Sequence, residues 1–145
     1  MIPITTEARY NAMINLHKGE VSREIFSSEE IFQEELEKVF TRAWLFIGHE
    51  SQIPNPGDFF ASRMGAESVI LARDKKKKVH VLLNSCRHRG MKVCHYDHGN
   101  TQLFTCPYHS WSYTTDGKLF GVPQFKSLYE GCLDKEQWSL IEVPK

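Results

Sequence analysis

The chain has 145 residues, enough for one domain with a sizeable core and too few for two ordinary ones. Lys and Arg number 18, as do Asp and Glu, so no net field draws the chain to nucleic acid or to an anionic membrane. The start, MIPITTEARYN, has neither the basic flank nor the apolar run of a signal peptide, and no later segment has the length to cross a bilayer; a soluble, cytoplasmic chain is expected.

In chain order, the first predicted element is a helix over IFQEELEKVFTRAW. Ser27 and Glu30 stand at capping-box spacing before it, and Ile31, Phe32, Leu36, Val39, Phe40 and Ala43 fall on one face. Near residue 45 the texture changes to short β runs with turn chemistry between them. Asn55-Pro56-Gly57-Asp58 leads into FFASRM, Gly65-Ala66-Glu67 into SVILAR, and Asp74 with Lys75 to Lys78 into VHVLLN. The four lysines read as a solvated hairpin tip that discourages edge pairing. Gly99-Asn100 is expected to turn the chain into TQLFTC, and Asp116-Gly117 to turn WSYTT into KLFGV as a hairpin. The fold class is therefore mainly β and antiparallel, preceded by an N-terminal helix.

Two segments carry chemistry. CRHRGM, with Cys86 and His88, directly follows the VHVLLN strand, and CPYHSW, with Cys106 and His109, directly follows TQLFTC. Thiolate and neutral imidazole together suit zinc or iron, and arrangement separates the two. Zinc fingers ordinarily pair Cys with Cys and His with His on each arm. Here each arm is mixed, which suits two loops clamping a [2Fe-2S] cluster from both sides, with two Cys on one iron and two His on the other.

The run CRHRGMKVCHYDHGNTQLFTCPYHSWSYTTDGKLFGVP resembles the Rieske signature of the α subunits of aromatic-ring-hydroxylating dioxygenases, of the biphenyl, naphthalene and benzoate type. The likeness continues upstream through VFTRAWLFIGHESQIPNPGDF and covers the chain from about Ile25 to its end. It implies a Rieske-type antiparallel β sandwich in which Cys86 and Cys106 hold the inner iron and His88 and His109 the outer one. It also implies a helical segment over 1–40, a Rieske domain over 41–145, and a C-terminal catalytic domain, with its mononuclear Fe(II), that is absent from this chain. The implied role is to accept electrons from a ferredoxin or flavin reductase and pass them to the mononuclear iron, which dihydroxylates an aromatic substrate with O2. The chain alone is then expected to transfer electrons only. Other α subunits are implied partners, with a β subunit as a further candidate. The alternative is a free-standing Rieske ferredoxin acting as a carrier; a zinc-stabilised interaction domain is a third reading.

Against the high-potential Rieske proteins, Met91 and Tyr108 occupy the places of two disulfide-forming cysteines, and Trp111 the place of a serine donor, while Tyr113 keeps a second donor position. With fewer donors the potential should lie low in the Rieske range of roughly −150 to +300 mV. Arg87 and Arg89 would favour the reduced state if they lie near the cluster; surface ion pairs are the plainer reading. Ser110 stands where the family commonly has Gly, which strains the loop if that position needs φ > 0. Trp44, Phe46, Trp111 and Phe120 are expected in the core, His95 and His98 as ordinary loop histidines, and Cys94 and Cys132 as free thiols.

Overall fold

The computed structural model describes residues 6–145. The reading of the start as leaderless rests partly on residues 1–5, which lie outside the described residues. The chain divides into two units, 1–44 and 45–145. No helix among the described residues is long and apolar enough to cross a membrane.

In the first unit, α1 (Thr6–Ala12) leads into a two-residue ribbon of β1 (Ile14–Asn15) and β2 (Glu20–Val21), then α2 (Glu24–Ser27) and α3 (Glu29–Glu35). The expected single helix is thus broken. Ser27 remains helical within α2, and its Oγ bonds the Arg23 carbonyl at 3.1 Å. Ser28 takes the extended conformation and caps α3 instead, its Oγ accepting from the Ile31 amide at 3.4 Å. Beyond Glu35 the helix widens into a π turn over Leu36–Phe40, which shifts the register of the expected apolar face. Ile31 is buried, whereas Phe32 and Val39 are exposed.

In the second unit, β3 (Asp58–Met64), β4 (Glu67–Arg73), β5 (Val79–Leu83) and β6 (His98–Asn100) form an antiparallel sheet in the order β5-β4-β3-β6. A second antiparallel sheet, in the order β7-β8-β9, consists of β7 (Leu103–Thr105), β8 (Ser112–Thr114) and β9 (Leu119–Gly121). A short helix, α4 (Phe125–Leu128), follows. Side chains alternate across a strand, so Ile70, Ala72 and Leu82 face a core shared with Phe104, Tyr113 and Leu119 of the second sheet. Their neighbours Val69, Leu71 and Val81 face a smaller core with Ile53 and Val143. The first sheet is therefore covered on both faces, which explains why SVILA reads as a continuous apolar run.

Two loops are built as the sequence suggests. The lysines at the β4–β5 turn are exposed, and Asp74 Oδ1 accepts from the Lys76 and Lys78 amides at 2.8 Å each. Gly117 turns the β8–β9 hairpin with φ 83°, and a Cβ there would meet Leu82 Cδ2 at 2.8 Å. Gly99-Asn100, expected as a turn, instead belongs to β6 and pairs with Phe59 and Asp58 of β3. Trp44, Phe46 and Phe120 are exposed rather than core, whereas Trp111 is buried. Phe120 follows the inward Leu119 along β9 and so points outward.

Candidate metal centre

The two Cys-His segments are the loops Cys86–Met91, which follows β5, and Cys106–Trp111, between β7 and β8. They repeat one backbone design. In the first, the Cys86 amide donates to the Met91 carbonyl at 2.8 Å and the Gly90 amide to the Cys86 carbonyl at 2.8 Å. In the second, the Cys106 amide donates to the Trp111 carbonyl at 2.8 Å and the Ser110 amide to the Cys106 carbonyl at 2.9 Å. The fifth residue of each is left-handed, Gly90 at φ 73° and Ser110 at φ 57°. Closing so tight a loop requires that conformation, and Ser110 meets it with a Cβ that Gly90 lacks.

The first loop is anchored from below by two side chains. Buried Asn84, one residue past β5, accepts from the Val93 and Cys94 amides at 3.0 and 2.9 Å and donates to the Cys94 carbonyl at 2.8 Å. It clamps the returning arm of the first loop to the sheet. Tyr113, fully buried on β8, sets its hydroxyl 3.3 Å from Cys86 Sγ and accepts from the Arg87 amide at 3.1 Å. Burial, and next the Cys86 thiol beside it, pushes the Tyr113 phenol far above its ordinary range. Sequence reading marked Tyr113 but missed Asn84; a polar residue closing an apolar strand was its visible signal.

The four residues converge as two like pairs. Cys86 and Cys106 are buried side by side. Burial raises the Cys106 thiol, the Cys86 thiol adds to the rise, and the Tyr108 and His109 amides oppose it by favouring thiolate. The His88 and His109 rings meet edge to face with centroids 4.7 Å apart. Burial, then His109 and Arg89, lowers the His88 imidazole and keeps it neutral. Its Nδ1 is buried without a hydrogen-bond partner. A neutral imidazole with an unclaimed buried nitrogen and a pair of adjacent buried thiols are donor types that suit a soft or borderline metal. Among the described residues no three His, Cys, Asp or Glu side chains are gathered as one ion would need, and the four here stand as a thiol pair and an imidazole pair.

The surroundings are asymmetric. The Trp111 indole stacks on His88, and the exposed Tyr108 ring lies 3.8 Å from that of His109 at a tilt of 33°. Arg87, Arg89 and Lys92 enter no ion pair among the described residues, which overturns the surface ion-pair reading, and Arg87 Nε is buried without a partner. Elsewhere, His95 bonds the Lys92 carbonyl at 3.0 Å and His98 lies on exposed β6, apart from the converging four. Cys94 and Cys132 are both free thiols, Cys94 buried and Cys132 exposed.

Two antiparallel sheets that present paired Cys-x-His and Cys-x-x-His loops define an iron-sulfur domain of the Rieske class. The chain belongs to the Rieske [2Fe-2S] domain family, whose model matches residues 43–136. It is 44% identical over 132 residues to the benzene 1,2-dioxygenase subunit alpha of Pseudomonas putida strain F1, covering 91% of this chain and 29% of that protein. It is 43% identical over 130 residues to the N,N-dimethyl phenylurea N-demethylase subunit alpha of Sphingobium sp. strain YBL2, covering 90% of this chain and 28% of the relative. The structure of naphthalene 1,2-dioxygenase with indole bound superposes with a TM-score of 0.79 at 40% identity, covering 86% of this chain and 28% of that one. The likeness to ring-hydroxylating dioxygenase α subunits and the β-sandwich expectation are thus borne out, and the chain spans under a third of the length of these relatives.

Proposed function

We propose that Cys86 and Cys106 hold the inner iron and His88 and His109 the outer iron of a [2Fe-2S] cluster, and that the chain relays electrons to an oxygenase centre. The observation that carries this reading is the sorting of the four side chains into a buried thiol pair and an imidazole pair with a partnerless Nδ1. When bound, the cluster supplies a one-electron store. The protein's own contribution is to keep the thiols dry, the His88 imidazole neutral and one hydroxyl, that of Tyr113, aimed at Cys86 Sγ.

Four further parts of the proposal follow the resemblance to ring-hydroxylating α subunits. The electron donor is a ferredoxin or flavin reductase, whose acidic face would meet the unpaired Arg87, Arg89 and Lys92. The acceptor is a mononuclear non-haem iron in a separate catalytic domain that dihydroxylates an aromatic substrate. That catalytic domain packs on the 1–44 unit, whose exposed Phe26 and Trp44, each more than four-fifths exposed, supply apolar contact. Full-length forms associate with other α subunits and a β subunit. We take substrate choice to reside outside this chain, a reading supported by its nearly equal likeness to a benzene dioxygenase and a phenylurea N-demethylase subunit. A free-standing ferredoxin is disfavoured because the matches to α subunits reach across the 1–44 unit as well as the β unit.

Purified protein should be brown and contain two irons and two acid-labile sulfides per chain. Replacing Cys86 or Cys106 should abolish assembly, whereas His88→Cys should leave a cluster at lower potential because a thiolate adds negative charge. Stoichiometric zinc in a colourless folded protein would overturn the reading.

A further inference from the structure

Trp111 ends the second loop, yet its indole lies against the histidine of the first. The His88 and Trp111 ring centroids are 4.9 Å apart and their planes differ by 8°, a flat stack. The indole is itself buried and is held edge-on from two sides, by Tyr129 at 6.1 Å and 71° and by Trp138 at 6.0 Å and 82°. These braces come from the segment after β9, so two separate stretches of chain, the second loop and that segment, back one imidazole.

The physical need for such a wall lies in how loosely a ring plane is set by its own side chain. Rotation about the bond to an aromatic ring has a broad profile, so the side chain's own torsional preferences leave the ring plane poorly fixed. The His88 ring has no hydrogen bond at Nδ1 to fix it. A parallel indole that cannot itself turn restricts the imidazole and keeps water off one of its faces. His109 lacks this arrangement, since its aromatic neighbour Tyr108 is 57% exposed and tilted by 33°.

We propose that Trp111 is a positioning residue that fixes the ring plane of His88 and shields it from solvent, with Trp138 and Tyr129 as its braces. The inference rests on the ligand assignment above and goes beyond it, because it assigns a role to a residue that binds no metal. Two consequences follow for a loaded chain. Without the wall the iron-bound imidazole is held only at its ligating nitrogen and its tilt is less narrowly set, which would spread the electronic environment of the outer iron. Water also gains access to that end, and water favours the more negatively charged reduced state.

The test is Trp111→Leu in the full chain, which keeps the site apolar but removes the flat surface. With iron and sulfide content at wild-type level, the reduced-state electron paramagnetic resonance lines should broaden and the midpoint potential should shift upward. Trp111→Phe should return both towards wild type. Unchanged linewidth and potential in the loaded Trp111→Leu protein would overturn the proposal. Should that variant fail to fold or load, Trp138→Phe decides the matter, since it trims a brace and keeps the stack: broadening supports the proposal and a wild-type spectrum overturns it. A wild-type chain with no [2Fe-2S] signal would instead sink the ligand assignment, a failure distinct from this one.

Discussion

Removing one oxygen from the core tests how the thiol pair is tuned. A metal-bound cysteine is a thiolate and cannot donate, so in the loaded protein the Tyr113 hydroxyl is the donor to Cys86 Sγ, 3.3 Å away. Donation stabilises negative charge and therefore favours the reduced state. Tyr113→Phe should lower the midpoint potential, by roughly 60 mV if the bond is worth about 1.4 kcal/mol more to the reduced form. Redox titration of the two proteins measures this, and equal potentials would show that the hydroxyl does not couple to the cluster. Ser110 offers a second test at this scale. Its φ of 57° is natural for Gly and strained for any residue with a Cβ. Ser110→Gly should stabilise the protein by about 0.5–1 kcal/mol, after allowing for the extra freedom of Gly in the unfolded chain, and a denaturant melt should show it.

Among the elements, the hinge between β5 and the first loop depends on Asn84. Replacing it with Ala strands the buried Val93 and Cys94 amides and the Cys94 carbonyl, at a cost of about 2–4 kcal/mol. A lower denaturant midpoint at unchanged slope would be the signature, and an unaltered midpoint would contradict the clamp. The sequence shows Asn84 closing an apolar strand but not what it holds, because the clamp joins residues ten apart through a side chain whose burial only the fold reveals. What was legible followed local rules: β3, β4 and β5 from apolar runs between turns, the β8–β9 hairpin from Asp116-Gly117, and the four convergent residues from their mixed spacing. The strand β6 was missed for a physical reason. Gly99 looks like a turn residue, yet it is a strand glycine because the Phe59 ring lies against it, where a Cβ would sit 3.1 Å from Cε1 and Cζ. The placement of the helix cap failed for a similar cause, since Ser27 and Ser28 both suit a cap and only backbone conformation distinguishes them.

At the scale of the whole β unit, the C-terminal segment is tied back across the first sheet. The Leu83 amide donates to the Ile141 carbonyl and the Val143 amide to the Val81 carbonyl, each at 2.9 Å, covering the open edge of β5. Buried His80 lies between two carboxylates, with Nε2 3.2 Å from Asp74 Oδ2 and Nδ1 3.0 Å from Glu142 Oε1, and Lys145 also contacts Glu142. Burial alone would raise Asp74, but the Lys78 amide, His80 and the Lys76 amide outweigh it and hold the group below its ordinary 3.8. Burial is likewise outweighed at Glu142, by Lys145 and His80, so that it sits below 4.5. Depressed carboxylates contribute stability that is fully present above their unfolded values and is lost as pH falls through the folded ones. Unfolding free energy should therefore decline below about pH 4.5, and Asp74→Asn should flatten that acid limb. An acid limb of equal slope in the variant would refute this origin.

The repeated loop closure bears on the order in which the protein is made. Each loop is tied by two bonds between its own backbone groups, and the thiols of Cys86 and Cys106 sit in a core that also contains Phe59, Leu82 and Tyr113. Ligands are thus gathered by the packing of the chain, in contrast to small zinc modules whose binding energy is their folding energy. On that reading the chain should fold before it is loaded, so that iron and sulfide would enter a formed cage from its His109 side, where the neighbouring Tyr108 is exposed; a metal-free chain that melted without a cooperative transition would contradict it.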